Sequence, residues 1–123
     1  MQGVVFNAHY LAYVDIAITE YWRALAAGNR QWLADTWERF YVVKSTLDYL
    51  APARFDDELD VGVRTTRLGR SSMASVFEIR RDADVLVRGE SVYVHTLEGK
   101  AAAMEDDLRD RILRYERAAP VQS

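Results

Sequence analysis

Asn7, four residues behind Gly3, is placed to cap a helix whose first turn carries unpaired backbone N–H groups. A helix start of that kind offers donors and a partial positive charge to an anion or a developing oxyanion. Few other residues in the chain have types and spacing suited to chemistry. His9 and His95 stand at opposite ends of the sequence and form no metal-ligand spacing, so each reads as a surface or packed imidazole. The absence of cysteine excludes disulfides, thiolate zinc sites and a cysteine nucleophile. No Gly-x-Ser-x-Gly elbow, Walker pattern or Gly-rich phosphate loop occurs. Arg64, Arg67, Arg70, Arg80, Arg81 and Arg88 gather among the strand-like segments. They fit either a solvated outer face or part of a site for the phosphates of a nucleotide-bearing ligand.

The elements that must position these groups follow from periodicity. Tyr10, Val14, Ala17, Ile18, Tyr21 and Leu25 recur at helical spacing, and Gly28-Asn29 supplies a stop, which predicts one long helix over about 8–27. The segment 29–37 predicts at most one more helical turn. The period then falls to two. Tyr41, Val43, Ser45, Leu47 and Tyr49 are expected on one strand face, with Lys44, Thr46 and Asp48 on the other. Further alternation runs through Leu59–Arg64, Met73–Ile79 and Val85–Thr96, with a hairpin expected at Asp82-Ala83-Asp84 and a turn at Gly99-Lys100. Gly62 and Gly89 inside strands mark close packing or a bulge. Asp107–Tyr115 predicts a charged terminal helix, and 118–123 a frayed tail. One buried helix followed by strands without βαβ alternation is α+β: a meandering sheet whose apolar face the helix must cover.

Composition bounds the class. A 123-residue, 14.1 kDa chain with 50% hydrophobic residues is one domain, taken as 1–117, able to bury a core without staples. A net charge of −3 argues against general nucleic-acid binding. No apolar run reaches the roughly 20 residues of a membrane span, and no signal-peptide pattern is present, which makes a cytoplasmic location the expectation.

The stretch from Gly3 to Asp15 resembles the opening motif of the 4-hydroxybenzoyl-CoA thioesterase-like branch of the hotdog-fold superfamily, approximately Asp-x-x-Gly-[Val/Ile]-Val-x-x-x-x-Tyr followed by an aromatic helix. Further matches follow in order at Tyr49–Phe55, Leu68–Ser72 and Arg88–Val94. The resemblance spans essentially the whole chain. It implies an antiparallel sheet curled round the long helix, homodimers or dimers of dimers with sites at the subunit interface, and hydrolysis of acyl-CoA or acyl-carrier-protein thioesters. It implies no metal or other cofactor.

In that motif a catalytic aspartate, acting as nucleophile or general base, stands three residues before the glycine. Counted back from Gly3, it falls just ahead of Met1, and the family's first strand falls ahead of it as well. On this resemblance the expectation is a start codon assigned too late or a truncated form, ahead of a natural homologue that has discarded its nucleophile. The site residues implied are Asn7, as oxyanion donor through its backbone and polar contact through its side chain; Gly3, Val4 and Tyr10 beside the acyl group; and Arg70, Ser71 and Ser72 at the CoA entrance. Asp15, two turns along the helix from Asn7, is expected to lie too far away to replace the aspartate. The rival reading is a non-catalytic hotdog protein that binds acyl thioesters or only dimerises.

Overall fold

In the computed structural model, residues 7–51 and 58–122 are described, with backbone alone for 7–11. Gly3, Val4 and the connection around Pro52 to Asp57 lie outside the described residues, as do the side chains of Asn7, His9 and Tyr10. Helix α1 runs Asn7–Ala26 and ends where Ala27 and Gly28 take positive φ, 50° and 88°. A left-handed pair of this kind closes a helix, and glycine adopts it without strain. Asn29 then caps α2, Arg30–Trp37, its side-chain oxygen accepting from the Trp32 N–H at 2.9 Å. That cap lets the segment hold a full eight-residue helix where periodicity alone predicted one turn.

Four long strands follow: β1 Phe40–Tyr49, β2 Asp60–Leu68, β3 Ser72–Arg81 and β4 Asp84–Leu97. The short β5, Lys100–Ala101, precedes helix α3, Asp106–Tyr115, and β6, Val121–Gln122. The sheet order is β1-β4-β3-β2-β6, with β5 on β4. The long strands pair antiparallel, while β6 lies parallel to β2. The hairpin forms as expected, with Asp82 at φ 54° and Arg81 facing Asp84. Glu98 and Gly99, both at positive φ, turn β4 into β5.

Three register shifts decide which side chains face the helix. In β1 the shift between Val42 and Lys44 inserts one residue, so Phe40 and Val42 share a face with Ser45 and Leu47. The expected grouping of Tyr41 and Val43 with Ser45 is thereby corrected: a bulge breaks the strict period of two. In β2 the shift between Thr65 and Arg67 turns Leu68 inward to full burial. The shift after Ile79 does the same for Leu86. The tail also differs from expectation. Pro120 is buried and Val121–Gln122 pairs with Arg67 and Leu68, because the end of β2 leaves backbone groups open to a partner.

The inner face holds two apolar cores separated by a polar row. Tyr21, Trp22 and Leu25 of α1 pack with Leu68, Met73, Tyr93, Met104, Leu108 and Ile112. Val14 packs with Phe77, Ile79, Leu86 and Val87. Between the two clusters, Ser45, Ser91, Ser75 and Thr65 stand opposite one another straight across the sheet. Thr65 is satisfied by the Tyr21 hydroxyl at 2.7 Å, and the Glu116 carboxylate accepts from both the Thr65 N–H and the Tyr21 hydroxyl. Arg111 ties α3 to the C-terminal end of α1: it donates to the Leu25 carbonyl at 2.8 Å and lies 4.3 Å over the Trp32 ring.

The two strand glycines have different reasons. A Cβ on Gly89 would stand 2.2 Å from the Phe77 ring and 2.5 Å from the Thr46 carbonyl oxygen, whereas one on Gly62 would meet nothing. Gly89→Ala is therefore expected to cost about 1–3 kcal/mol through overpacking. Gly62→Ala is expected to be neutral or slightly stabilising. Urea midpoints of the two variants against the parent check both.

Candidate functional site

A cavity of about 410 Å³ lies between α1 and the β1 side of the sheet. Its apolar lining is Val14 and Ile18 from α1, Phe40, Val42 and Leu47 from β1, Phe77 from β3 and Trp37 from α2. Small side chains make the room. Across β1, β4 and β3 the polar row offers only serines. The volume falls within the roughly 300–1,000 Å³ typical of small-molecule sites. The cavity opens along β1, an edge strand with no neighbour on its outer side among the described residues, where Val42 is 57% and Val43 60% exposed.

Polar groups enter this lining at a few points. The Ser45 and Ser91 hydroxyls are 3.1 Å apart. Tyr93 is buried beside them, and burial pushes its hydroxyl above the ordinary tyrosine range; the charge of Asp15 adds to this, while a hydrogen bond with Ser91 acts against it. Asp15, set aside in the sequence as too distant from Asn7, lines the cavity. Eight residues of helix separate it from Asn7, about 12 Å along the axis, so it belongs to the cavity rather than to the helix start. The signal that could have found it is its place next to Val14, on the flank of the apolar stripe. Thr19, one turn further on, turns its hydroxyl back to the Asp15 carbonyl at 2.8 Å.

Arg70, Ser71 and Ser72 are brought together, but none lines the cavity. They form the tight turn between β2 and β3, where the Gly69 N–H donates to the Ser72 carbonyl at 2.7 Å. The Arg70 carbonyl accepts from Met104, the Ser71 carbonyl from His95, and Arg109 donates to the Gly69 and Arg70 carbonyls. The Arg70 side chain is exposed. This turn sits with Leu68 and Met73 by the Leu25 end of α1, whereas Val14 packs at the other end of the sheet. Within one chain the turn and Asn7 are therefore separated by nearly the length of a 20-residue helix, about 30 Å.

The remaining candidates resolve into structural roles. Arg80 and Arg88 both hold Glu78 on the outer face, at 2.6 and 3.2 Å. The hydrogen bond from Arg80 is the main reason the Glu78 carboxyl is held below its ordinary range. Arg64 and Arg67 share that outer face, opposite Val76 and Ala74. His95 is buried, its Nδ1 2.9 Å from the Ala102 carbonyl and its ring edge-on to Phe40. Among the described residues no three His, Cys, Asp or Glu side chains group as a metal site.

Tyr21, like Tyr93, is pushed up, chiefly by burial and next by its hydrogen bond to Glu116. Both tyrosines are held neutral in the folded state while the unfolded chain ionises near pH 10. The stability they contribute is thus complete below about pH 10 and is lost as pH rises beyond it. Unfolding free energy measured by urea between about pH 8 and 11 should fall across the upper half of that range. The fall should be shallower in Tyr93→Phe and in Tyr21→Phe.

The thioesterase superfamily matches residues 2–88 of this chain. The acyl-CoA thioester hydrolase YbgC of Escherichia coli is 32% identical over 92 residues, which cover 75% of this chain and 68% of that protein. The crystal structure of a Thermus thermophilus thioesterase complexed with coenzyme A and zinc superposes with a TM-score of 0.77 at 32% identity, covering 91% of this chain and 80% of that one. A predicted thioesterase from Bacillus stearothermophilus shares the fold with a TM-score of 0.74 at 19% identity, covering 98% of this chain and 86% of that one.

Proposed function

The chain belongs to the thioesterase superfamily and has its hotdog fold, and on that premise we propose that it hydrolyses acyl-CoA or acyl-carrier-protein thioesters at a site shared by two copies of itself. The observation that carries this reading is the cavity beside α1, apolar enough for an acyl group and open along the β1 edge, which has no strand on its outer side among the described residues. The same edge explains the second copy. Ten residues of strand backbone with exposed Tyr41, Val42, Val43 and Tyr49 favour pairing with an identical strand. Two-fold pairing there runs the two α1 helices in opposite directions. The Arg70 end of one copy then lies toward the Asn7 end of the other, which answers their separation within one chain.

In the proposed reaction the thioester carbonyl sits at the start of α1, near Gly3, Val4 and Asn7. Backbone N–H groups there receive the negative charge that builds on oxygen, an effect worth about 10²–10³ in rate per donor. Those donors polarise the carbonyl but supply no nucleophile. The aspartate of the family motif, counted to the position just before Met1, would attack the carbonyl or take a proton from water. On the first route the carrier thiol leaves and water then hydrolyses the acyl-aspartate anhydride. On the second, water adds to the carbonyl and the thiol leaves from the resulting tetrahedral intermediate. Both consume one water and release the acid and the thiol. Tyr10 walls the acyl group, while Arg70, Ser71 and Ser72 of the other copy face the phosphates of CoA.

Three outcomes are expected. Sedimentation at micromolar concentration should give at least twice the 14.1 kDa chain mass, and Val42→Lys on β1 should shift it toward monomer; a parent that sediments as a monomer removes the shared site. Arg70→Ala should weaken CoA binding roughly tenfold to a hundredfold by removing a charge-assisted contact. Its side chain is exposed, so the fold should be unaffected. Across a panel of acyl-CoAs, this chain should hydrolyse poorly, a chain extended upstream to include the aspartate should be active, and the extended Asp→Ala variant should fall back. Equal activity in the first two overturns the assignment of the aspartate. Inertness of all three while CoA still binds returns the chain to a binding role.

A further inference from the structure

The α1–β1 cavity has a neighbouring space at α2. A second hollow of about 260 Å³ is lined by Thr19, Trp22, Arg30, Leu33, Ala34 and Trp37. Thr19 and Trp37 line both spaces. Of these two, Thr19 has its hydroxyl committed to the Asp15 carbonyl at 2.8 Å, so it offers the passage no free donor. Trp37 is the bulk between the spaces. Its indole stands edge-on to Trp22 with ring centres 5.3 Å apart, and Trp22 is itself 3% exposed and packed on Phe40. Helix α2 is held by the Asn29 cap and by the bond from the Trp32 indole to Asp107, and at its C-terminal end the Trp37 ring, 43% exposed, rests on Trp22. Thr19 is also the cavity residue farthest along α1 from Asn7, which puts Trp37 at the end of the cavity remote from the helix start.

We propose that Trp37 is the end wall of the acyl pocket and sets the longest acyl chain the protein accepts, with the apolar hollow between α1 and α2 as unused length behind it. This rests on the acyl-thioester reading of the cavity, and the chemistry concerned is a straight hydrocarbon tail. Beyond Trp37 such a tail would meet Trp22, Leu33 and Ala34, an apolar lining broken by Arg30 and Thr19. A methylene that is buried rather than stopped at the wall is worth about fourfold in affinity or kcat/KM.

The test uses two readouts on the same proteins. One is kcat/KM on straight-chain acyl-CoAs from acetyl to palmitoyl, measured with each variant made in the chain extended upstream to include the aspartate; the other is binding of the matching free fatty acids, followed by displacement of a polarity-sensitive dye. Trp37→Ala should move the preferred length upward by several carbons, with about a fourfold gain for each newly accommodated methylene. Trp37→Leu, which keeps an apolar contact with Trp22, should move it less and guards against a loss of folding in the alanine variant. Adding Ala34→Phe to Trp37→Ala refills the hollow and should return the preference toward the parent. A length profile that Trp37→Ala and Trp37→Leu leave unchanged in both readouts overturns the proposal even if hydrolysis is robust. Equal gains at every length also overturn it, because a wall acts only on chains that reach it. A shifted fatty-acid profile with no thioester cleaved by any variant supports the wall and counts against the hydrolase reading instead.

Discussion

Val14, Ile18, Tyr21, Trp22 and Leu25 leave water together when α1 settles on the inner face of the sheet, and each is worth roughly 1.5–3 kcal/mol of burial. Nothing else among the described residues covers that face along its length. The helix is therefore the common partner of both apolar cores, and the strands are held in one curved layer because all four contribute side chains to it. The register shifts serve the same contact. Each one inserts a residue where a strict alternation would have turned Arg67 toward the core or left Leu86 outside it.

The cavity is the exception to this packing, and its cause is the row Ser45, Ser91, Ser75, Thr65. Four small hydroxyl residues in line cannot fill the space under a helix as leucines would. At the Thr65 end the gap is closed by Tyr21 and Glu116. At the Ser45 end nothing comparable reaches in among the described residues, and a space is left beside Val42 on the edge strand. One polar row thus separates two cores, anchors the C-terminal segment at one end and leaves a binding space at the other.

Charge is used sparingly in this arrangement. Arg111 meets the carbonyl end of α1 and the face of Trp32, so one guanidinium joins three helices. Glu78 gathers Arg80 and Arg88 on the outer face, where water screens the pairs and their contribution to stability is small. The exposed apolar edge of β1 and the helix start at Asn7 are the two features on which the proposed chemistry depends.

How much of this was legible in the sequence follows from range. The long helix, its stop at Gly28-Asn29, the hairpin at Asp82 and the antiparallel strands rest on local spacing and turn chemistry, and they stand in the structure within a residue or two, except that β2 runs four residues past Arg64 to Leu68. The family, too, was legible, since a motif from Gly3 to Asp15 is a local pattern. What depended on partners was not. A bulge at Val43 is invisible to a period of two, so Tyr41 and Val43 were misread as sharing the face of Ser45 and Leu47. The short β6 takes its order from the open end of β2, far away in sequence, and so Val121–Gln122 looked like a loose tail. Asp15 was measured only against Asn7 along the helix, whereas its position is set by what lies across from it on β1 and β4. Separation along one helix is fixed by the sequence; which residues meet across a gap is fixed only when the sheet closes over it.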